Sequence, residues 1–148
     1  MLPGFGCGVN LCVVMAPRVR ALYKIDPQPE GPAQARRIIA QELASRLPER
    51  ILDDVKLMVS ELVTNGIVHG APDDDDPLML DLLVNGHVQS RAHVRCGVLD
   101  HGRGFAKRVR RDAPGGGWGL QVIEQLSDRW GMQSSPQRTE VWFERACS

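Results

Sequence analysis

Apolar residues recur along this chain at two different periods, and the switch between them marks out the elements. Ala35, Ile38, Ile39, Leu43 and Leu47 repeat at helical spacing, with Arg36, Arg37, Gln41 and Arg46 on the other faces. This pattern predicts an amphipathic helix opening near Pro32, where a proline fits the first turn, and stopping near Pro48. Ile51, Leu52, Val55, Met58, Val59, Leu62 and Val63 make one broad apolar face from about Glu49 to His69, closed by Gly70 and Pro72. Leu78 to Val84 reads as a strand, and Asn85-Gly86 is a hairpin turn signal because both positions tolerate positive φ. The return strand segments run through Val88 to Asp100. Gly119 to Trp130 predicts a third helix with Leu120, Ile123, Leu126 and Trp130 on one side, and Thr139 to Glu144 alternates as a last strand. Ala21 to Ile25 is a short first strand, ended by Pro27, Pro29, Gly31 and Pro32.

The order of elements is strand, helix, helix, hairpin strands, loop, helix, strand. It predicts an α+β fold, a two-layer sandwich of a mixed, mostly antiparallel sheet with helices on one face. Parallel βαβ alternation is missing, and no G-x-x-x-x-G-K-[ST] pattern occurs, so neither a doubly wound nucleotide fold nor a P-loop is expected.

Composition narrows the function. At 148 residues the chain fits one domain with one core, and its hydrophobic (43%) and charged (24%) contents are ordinary for a globular protein. Lys plus Arg equals Asp plus Glu at 18 each, so the basic excess that drives phosphate-backbone binding is absent and no nucleic-acid partner is expected. Two runs break the balance locally. Asp73 to Asp76 reads as a solvated acidic loop; Arg103, Lys107, Arg108, Arg110 and Arg111 form a basic stretch, either a lid over an anion or a mobile loop. Cys7, Cys12, Cys96 and Cys147 show neither C-x-x-C nor Cys/His metal spacing, which fits free thiols in a reducing cytoplasm. Leu11 to Ala16 is too short to span a membrane, and no positive charge precedes it. Residues 1–19 therefore read as an N-terminal extension, a candidate for disorder, with a weak secretion signal as the alternative; the domain itself is expected over 20–148.

Three clusters carry candidate chemistry. Glu61, Asn65 and His69 follow at intervals of four, each about 40° around the helix from the last, so they form a polar strip on the shoulder of the apolar face. An Asn carboxamide oxygen suits Mg²⁺, which takes few protein ligands and completes its shell with phosphate and water. A Glu one turn earlier can accept a proton from a hydroxyl or water, whereas His69 by itself reads as structural. The second cluster, Asp100-His101-Gly102-Arg103-Gly104, follows a strand. A carboxylate at a strand end can accept a hydrogen bond from an adenine amino group, and the glycines let backbone approach a flat ring. Alone it is also an ordinary turn. The third, Gly115-Gly116-Gly117-Trp118-Gly119-Leu120, opens a helix, where free N–H groups and the helix dipole attract anions; a flexible linker has the same composition.

In this order the clusters resemble those of the GHKL superfamily, the ATPase domains of gyrase B, heat-shock chaperones, histidine kinases and mismatch-repair proteins. Within it, Ser60-Glu61-Leu62-Val63-Thr64-Asn65 with His69-Gly70, and Ser127-Asp128-Arg129-Trp130-Gly131 before Thr139-Glu140-Val141-Trp142-Phe143-Glu144, look like the small bacterial anti-sigma-factor serine/threonine kinases. The likeness covers roughly residues 33 to 145. It implies a Bergerat-type ATP-binding fold with ATP and Mg²⁺ as cofactors. Asn65 would hold the metal, Glu61 would be the catalytic base, and Asp100 would read adenine with Gly102 and Gly104 making room. Gly117, Gly119 and Leu120 would supply backbone to the phosphates, and Thr139 would support the adenine contact through water. Members of that family bind a sigma factor, phosphorylate a small anti-anti-sigma antagonist, and in many cases are homodimers. Two other readings stay open: an ATP-binding module that captures its partner stoichiometrically, and a detached sensor-kinase catalytic domain, although no helix pair carrying a phosphoacceptor histidine precedes residue 33.

Overall fold

The computed structural model describes residues 18–70, 76–86, 91–101 and 118–147. Among them the chain forms β1 (Arg18–Ile25), α1 (Gly31–Leu43), α2 (Glu49–Asn65), a π-helical turn (Gly66–Gly70), β2 (Leu78–Asn85), β3 (His93–Asp100), α3 (Trp118–Leu126), β4 (Arg129–Ser134) and β5 (Thr139–Ala146). The described strands make one sheet in the order β1-β2-β3-β5-β4, antiparallel at every pairing. The helices cover one face of it, giving the expected α+β sandwich.

Alternation along the strands explains why. Leu78, Leu80, Leu82 and Val84 of β2 and Val94, Cys96 and Val98 of β3 are buried toward the helices, joined by Val141 and Phe143 of β5. Against them lie Ala35, Ile39 and Leu43 of α1, Val55, Met58, Val59, Leu62 and Val63 of α2, and Ile123 of α3. Each large side chain so buried contributes about 1.5–3 kcal/mol, whereas an exposed pair such as Lys56–Asp53 contributes under about 1 kcal/mol. The helix layer is therefore held by its apolar face. Gly66, at the end of α2, permits the closest approach to the sheet: a Cβ there would lie 2.9 Å from Leu78 Cδ1 and 3.5 Å from Val98 Cγ1.

Several expected boundaries move. The first strand begins at Arg18 rather than Ala21, paired along its length with β2. Asn85-Gly86 is not a two-residue turn: Asn85 is still paired, opposite His93, and Gly86, at φ 84°, opens a longer connection before β3. The third helix ends at Leu126, and the Trp130 assigned to its apolar stripe belongs to β4, a strand that helical spacing concealed. Leu126 and Trp130 satisfy an i, i+4 pattern, but Trp130 and Met132 also alternate, and both pack on the core. The turn is fixed by the Asp128 N–H, which donates to the Glu144 carbonyl at 2.9 Å and begins the ladder to β5. No helix among the described residues is long and apolar enough to cross a membrane.

Cys96 and Cys147 are free and buried, and burial pushes the thiol of each upward, Cys96 far above its ordinary range. Cys7 and Cys12 lie outside the described residues. The folded chain thus keeps a Cys96 proton that the unfolded chain loses above about pH 8.5, so stability present below that pH declines as pH rises past it. Peptide-resolved thiol labelling at pH 8 is expected to modify Cys96 at least about 100-fold more slowly in the native protein than in denaturant; rapid native labelling would contradict its burial.

Candidate functional site

The apolar side of α2 is turned to the sheet, which leaves its shoulder facing the start of α3. Glu61 and Asn65 are both half-buried there. Gly119, the second residue of α3, sits against them: a Cβ at this position would lie 2.8 Å from Glu61 Oε2, 3.2 Å from Asn65 Nδ2 and 3.4 Å from Asn65 Oδ1. Three residues from two of the sequence clusters, 54 positions apart at the least, therefore share one place. A helix leaves its first four N–H groups without intrahelical partners. Here those of α3 open beside a carboxylate and a carboxamide, a donor set that suits a metal-bound polyphosphate. Directly after Asn65 the helix widens into the π-turn, a feature common at functional sites.

The neighbouring residues of α2 are occupied in holding the helix. The Arg36 guanidinium of α1 donates to the Ser60 hydroxyl at 2.8 Å; Ser60 in turn donates to the Lys56 carbonyl, and Thr64 to the Ser60 carbonyl. Leu120 turns its side chain to the core, so only its backbone is available to an anion. His69 lies in the π-turn and is partnered.

The second part of the site lies at the end of the sheet. Asp100 closes β3, opposite Thr139, the first residue of β5, and both are buried, at 4% and 1% exposure. A carboxylate so deep is costly unless hydrogen-bonded, and Asp100 is partnered. Ser134, the last residue of β4, pairs with Thr139, their hydroxyls 3.1 Å apart. Sequence reasoning missed Ser134, because the helical pattern ran through Trp130 and no strand was expected between there and Thr139. The two parts are linked through Gly66, which follows Asn65 and abuts Val98; two residues along the same face of β3, about 7 Å, comes Asp100. Gly102, Gly104 and Gly117 lie outside the described residues, as does the basic stretch 103–111.

No group of three or more His, Cys, Asp or Glu side chains among the described residues is arranged to hold a metal by itself. Asn65 supplies a carboxamide oxygen, which suits Mg²⁺ when phosphates and water complete its shell, and the Glu61 carboxylate stands beside it. A polar cleft of about 210 Å³ at the β4–β5 turn, lined by Gln133, Ser134, Ser135, Arg138 and Glu140, shares Ser134 with the second part of the site and includes no residue of α2 or α3.

A family model described as the histidine kinase-like ATPase domain matches residues 25–145. No curated protein matches the chain. Among solved structures, the chain is similar to the RsbU and RsbW domains of Rv1364c from Mycobacterium tuberculosis, with a TM-score of 0.64 and 18% identity over 86% of this chain and 32% of that one. At that identity the likeness establishes the fold, and the chain spans about a third of that protein's length.

Gly119→Ala separates the site from the fold. The added methyl meets the mobile end of Glu61 rather than backbone, and alanine is the better helix former by up to about 1 kcal/mol. Melting is expected within a few degrees of wild type, while affinity for ATP falls about tenfold or more. Both are read on one sample by thermal melting and calorimetric titration.

Proposed function

We propose that this chain, which belongs to the histidine kinase-like ATPase domain family, is a Mg²⁺-dependent ATP-binding regulatory protein of the anti-sigma-factor kinase type. The observation that carries this reading is Gly119 at the start of α3, seated against Glu61 and Asn65 of α2. A nucleotide then has its phosphates at the first turn of α3 and its base at the end of β3 and the start of β5. Asp100 accepts a hydrogen bond from the adenine amino group, and Thr139, steadied by Ser134, supports that contact from the neighbouring strand. Backbone N–H groups of Gly119 and Leu120 face the phosphates, with Gly117, Gly102 and Gly104 giving close approach by resemblance. The Asn65 carboxamide oxygen is the protein ligand for Mg²⁺, which when bound neutralises charge on the phosphates.

Glu61 has the role of general base. It takes the proton of a serine or threonine hydroxyl on a small anti-anti-sigma antagonist as that oxygen bonds to the γ-phosphorus. The bond from phosphorus to the β-γ bridging oxygen breaks, and ADP leaves. Catalysis of this kind is mainly positioning and charge stabilisation, so the geometry between α2 and α3 matters more than any one group's reactivity. By resemblance to those kinases, the protein would also bind a sigma factor, form a homodimer and reside in the cytoplasm.

Calorimetric titration with ATP, with and without Mg²⁺, tests the site. Wild type is expected to bind in a Mg²⁺-dependent manner, and Asn65→Ala to lose that dependence while remaining folded. Asp100→Ala is expected to weaken binding about 10- to 100-fold through loss of a charge-assisted hydrogen bond. A folded wild type that binds no nucleotide refutes the reading. For the chemistry, Glu61→Ala is expected to bind ATP yet transfer labelled phosphate to the antagonist at least about 100-fold more slowly. Nucleotide binding without transfer in the wild type would leave stoichiometric capture as the activity.

A further inference from the structure

The far end of α3 carries a second set of contacts with α2, and it involves none of the residues assigned above. Arg145, on β5, reaches Asp54 of α2 through one guanidinium nitrogen and Asp128, just beyond α3, through the other, each at 3.4 Å. Asp128 is itself fixed to β5. Its Oδ2 accepts the Ala146 N–H at 2.6 Å, and its own N–H donates to the Glu144 carbonyl at 2.9 Å. Arg145 and Asp54 are mostly buried, with side chains 23% and 21% exposed, so solvent screens this pair less than a surface pair.

Asp54 lies seven residues before Glu61 and eleven before Asn65. At about 100° per residue these offsets return to within about 20° of one line, so all three project from one face of α2. Along the axis they stand about 10 and 16 Å from Asp54. From Gly119 to Leu126, where α3 ends, is seven residues, about 10 Å at helical rise, and Asp128 follows two residues beyond, so α3 covers most of the distance from the Glu61–Asn65 pair back to Asp54. Thus α3 runs against α2 in the opposite direction, touching the Glu61–Asn65 pair at its start and tied toward Asp54 at its end. Between the ends, Ile123 is the fully buried side chain of α3, while Leu120 and Leu126 are partly buried. An apolar contact this short resists separation but resists sliding poorly, because dispersion and burial are not directional.

We propose that Arg145 is a positioning residue: by bridging Asp54 and Asp128 it sets the register of α3 along α2, and so the approach of Gly119 to Glu61 and Asn65. The bridge lies one helix length from any bound nucleotide. Its link to affinity rests on the nucleotide-site reading; its link to the placement of α3 does not.

The test combines amide hydrogen exchange of the nucleotide-free protein with Mg²⁺–ATP titration, using Arg145→Met, Arg145→Lys and Asp54→Asn. In Arg145→Met, α3 amides are expected to exchange about tenfold faster while those of α1, β2 and β3 keep wild-type rates, and affinity is expected to fall about tenfold. Arg145→Lys, a point charge able to satisfy one partner at a time, should recover part of both losses. Asp54→Asn removes the α2 arm alone, should move both readouts the same way, and decides the matter if Arg145→Met does not fold. Unchanged α3 exchange in the folded variants overturns the proposal, as does faster α3 exchange with unaltered affinity. If the wild type binds no nucleotide, the site reading fails by itself, and exchange still decides whether the bridge positions α3.

Discussion

The apolar face of α2, made by Val55, Met58, Val59, Leu62 and Val63, is pressed onto the sheet, and the placement of the polar site residues follows from that contact. Glu61 and Asn65 are interleaved with Leu62 and Val63, so fixing the buried face fixes the shoulder. Each polar residue stays at the margin because burying it outright would cost more than a neighbouring methyl gains. Gly66 then brings the end of the helix against Leu78 and Val98, and this carries the α2 half of the site toward the strand ends where Asp100 and Thr139 lie. A larger residue at that point would separate the two halves.

The helix-free face of the sheet obeys a different rule. Asp81 is buried at 7% exposure under a two-point contact from Arg20, and Arg95 lies over the Trp142 ring at 4.9 Å while pairing with Glu140 at 3.0 Å. Gly131 leaves room for that ring. Such pairs add modestly to stability but penalise register errors, since a slip of one residue would send these charges into the core and the core leucines out. Correct register places Thr139 opposite Asp100 and Ser134 opposite Thr139, so the polar face helps to set these three residues in place.

The helix α3 is held differently at its two ends. Anchored by few apolar side chains, it meets α2 at one end through the absence of a side chain at Gly119 and at the other through the Asp54–Arg145–Asp128 bridge. A helix held in this way can have its position set by charge rather than by a deep core.

What the sequence determined by itself was what is local or periodic. The polar strip of Glu61 and Asn65 beside an apolar stripe, the carboxylate of Asp100 at a strand end and the glycine at 119 are visible because helical and strand periods are short-range properties of the backbone. The helices α1 and α2 and the α+β class were legible for the same reason. Tertiary structure alone decided what depends on contacts between distant residues. Trp130 fits a helix stripe as well as a strand, and only pairing with Phe143 makes it β4. Asn85 looks like a turn residue until His93 pairs with it. Nothing in their spacing joins Asp54, Asp128 and Arg145, or sets Gly119 against Glu61 and Asn65. Those meetings are made when separate elements share one core, and burial, not local preference, chooses among patterns that the chain satisfies equally well.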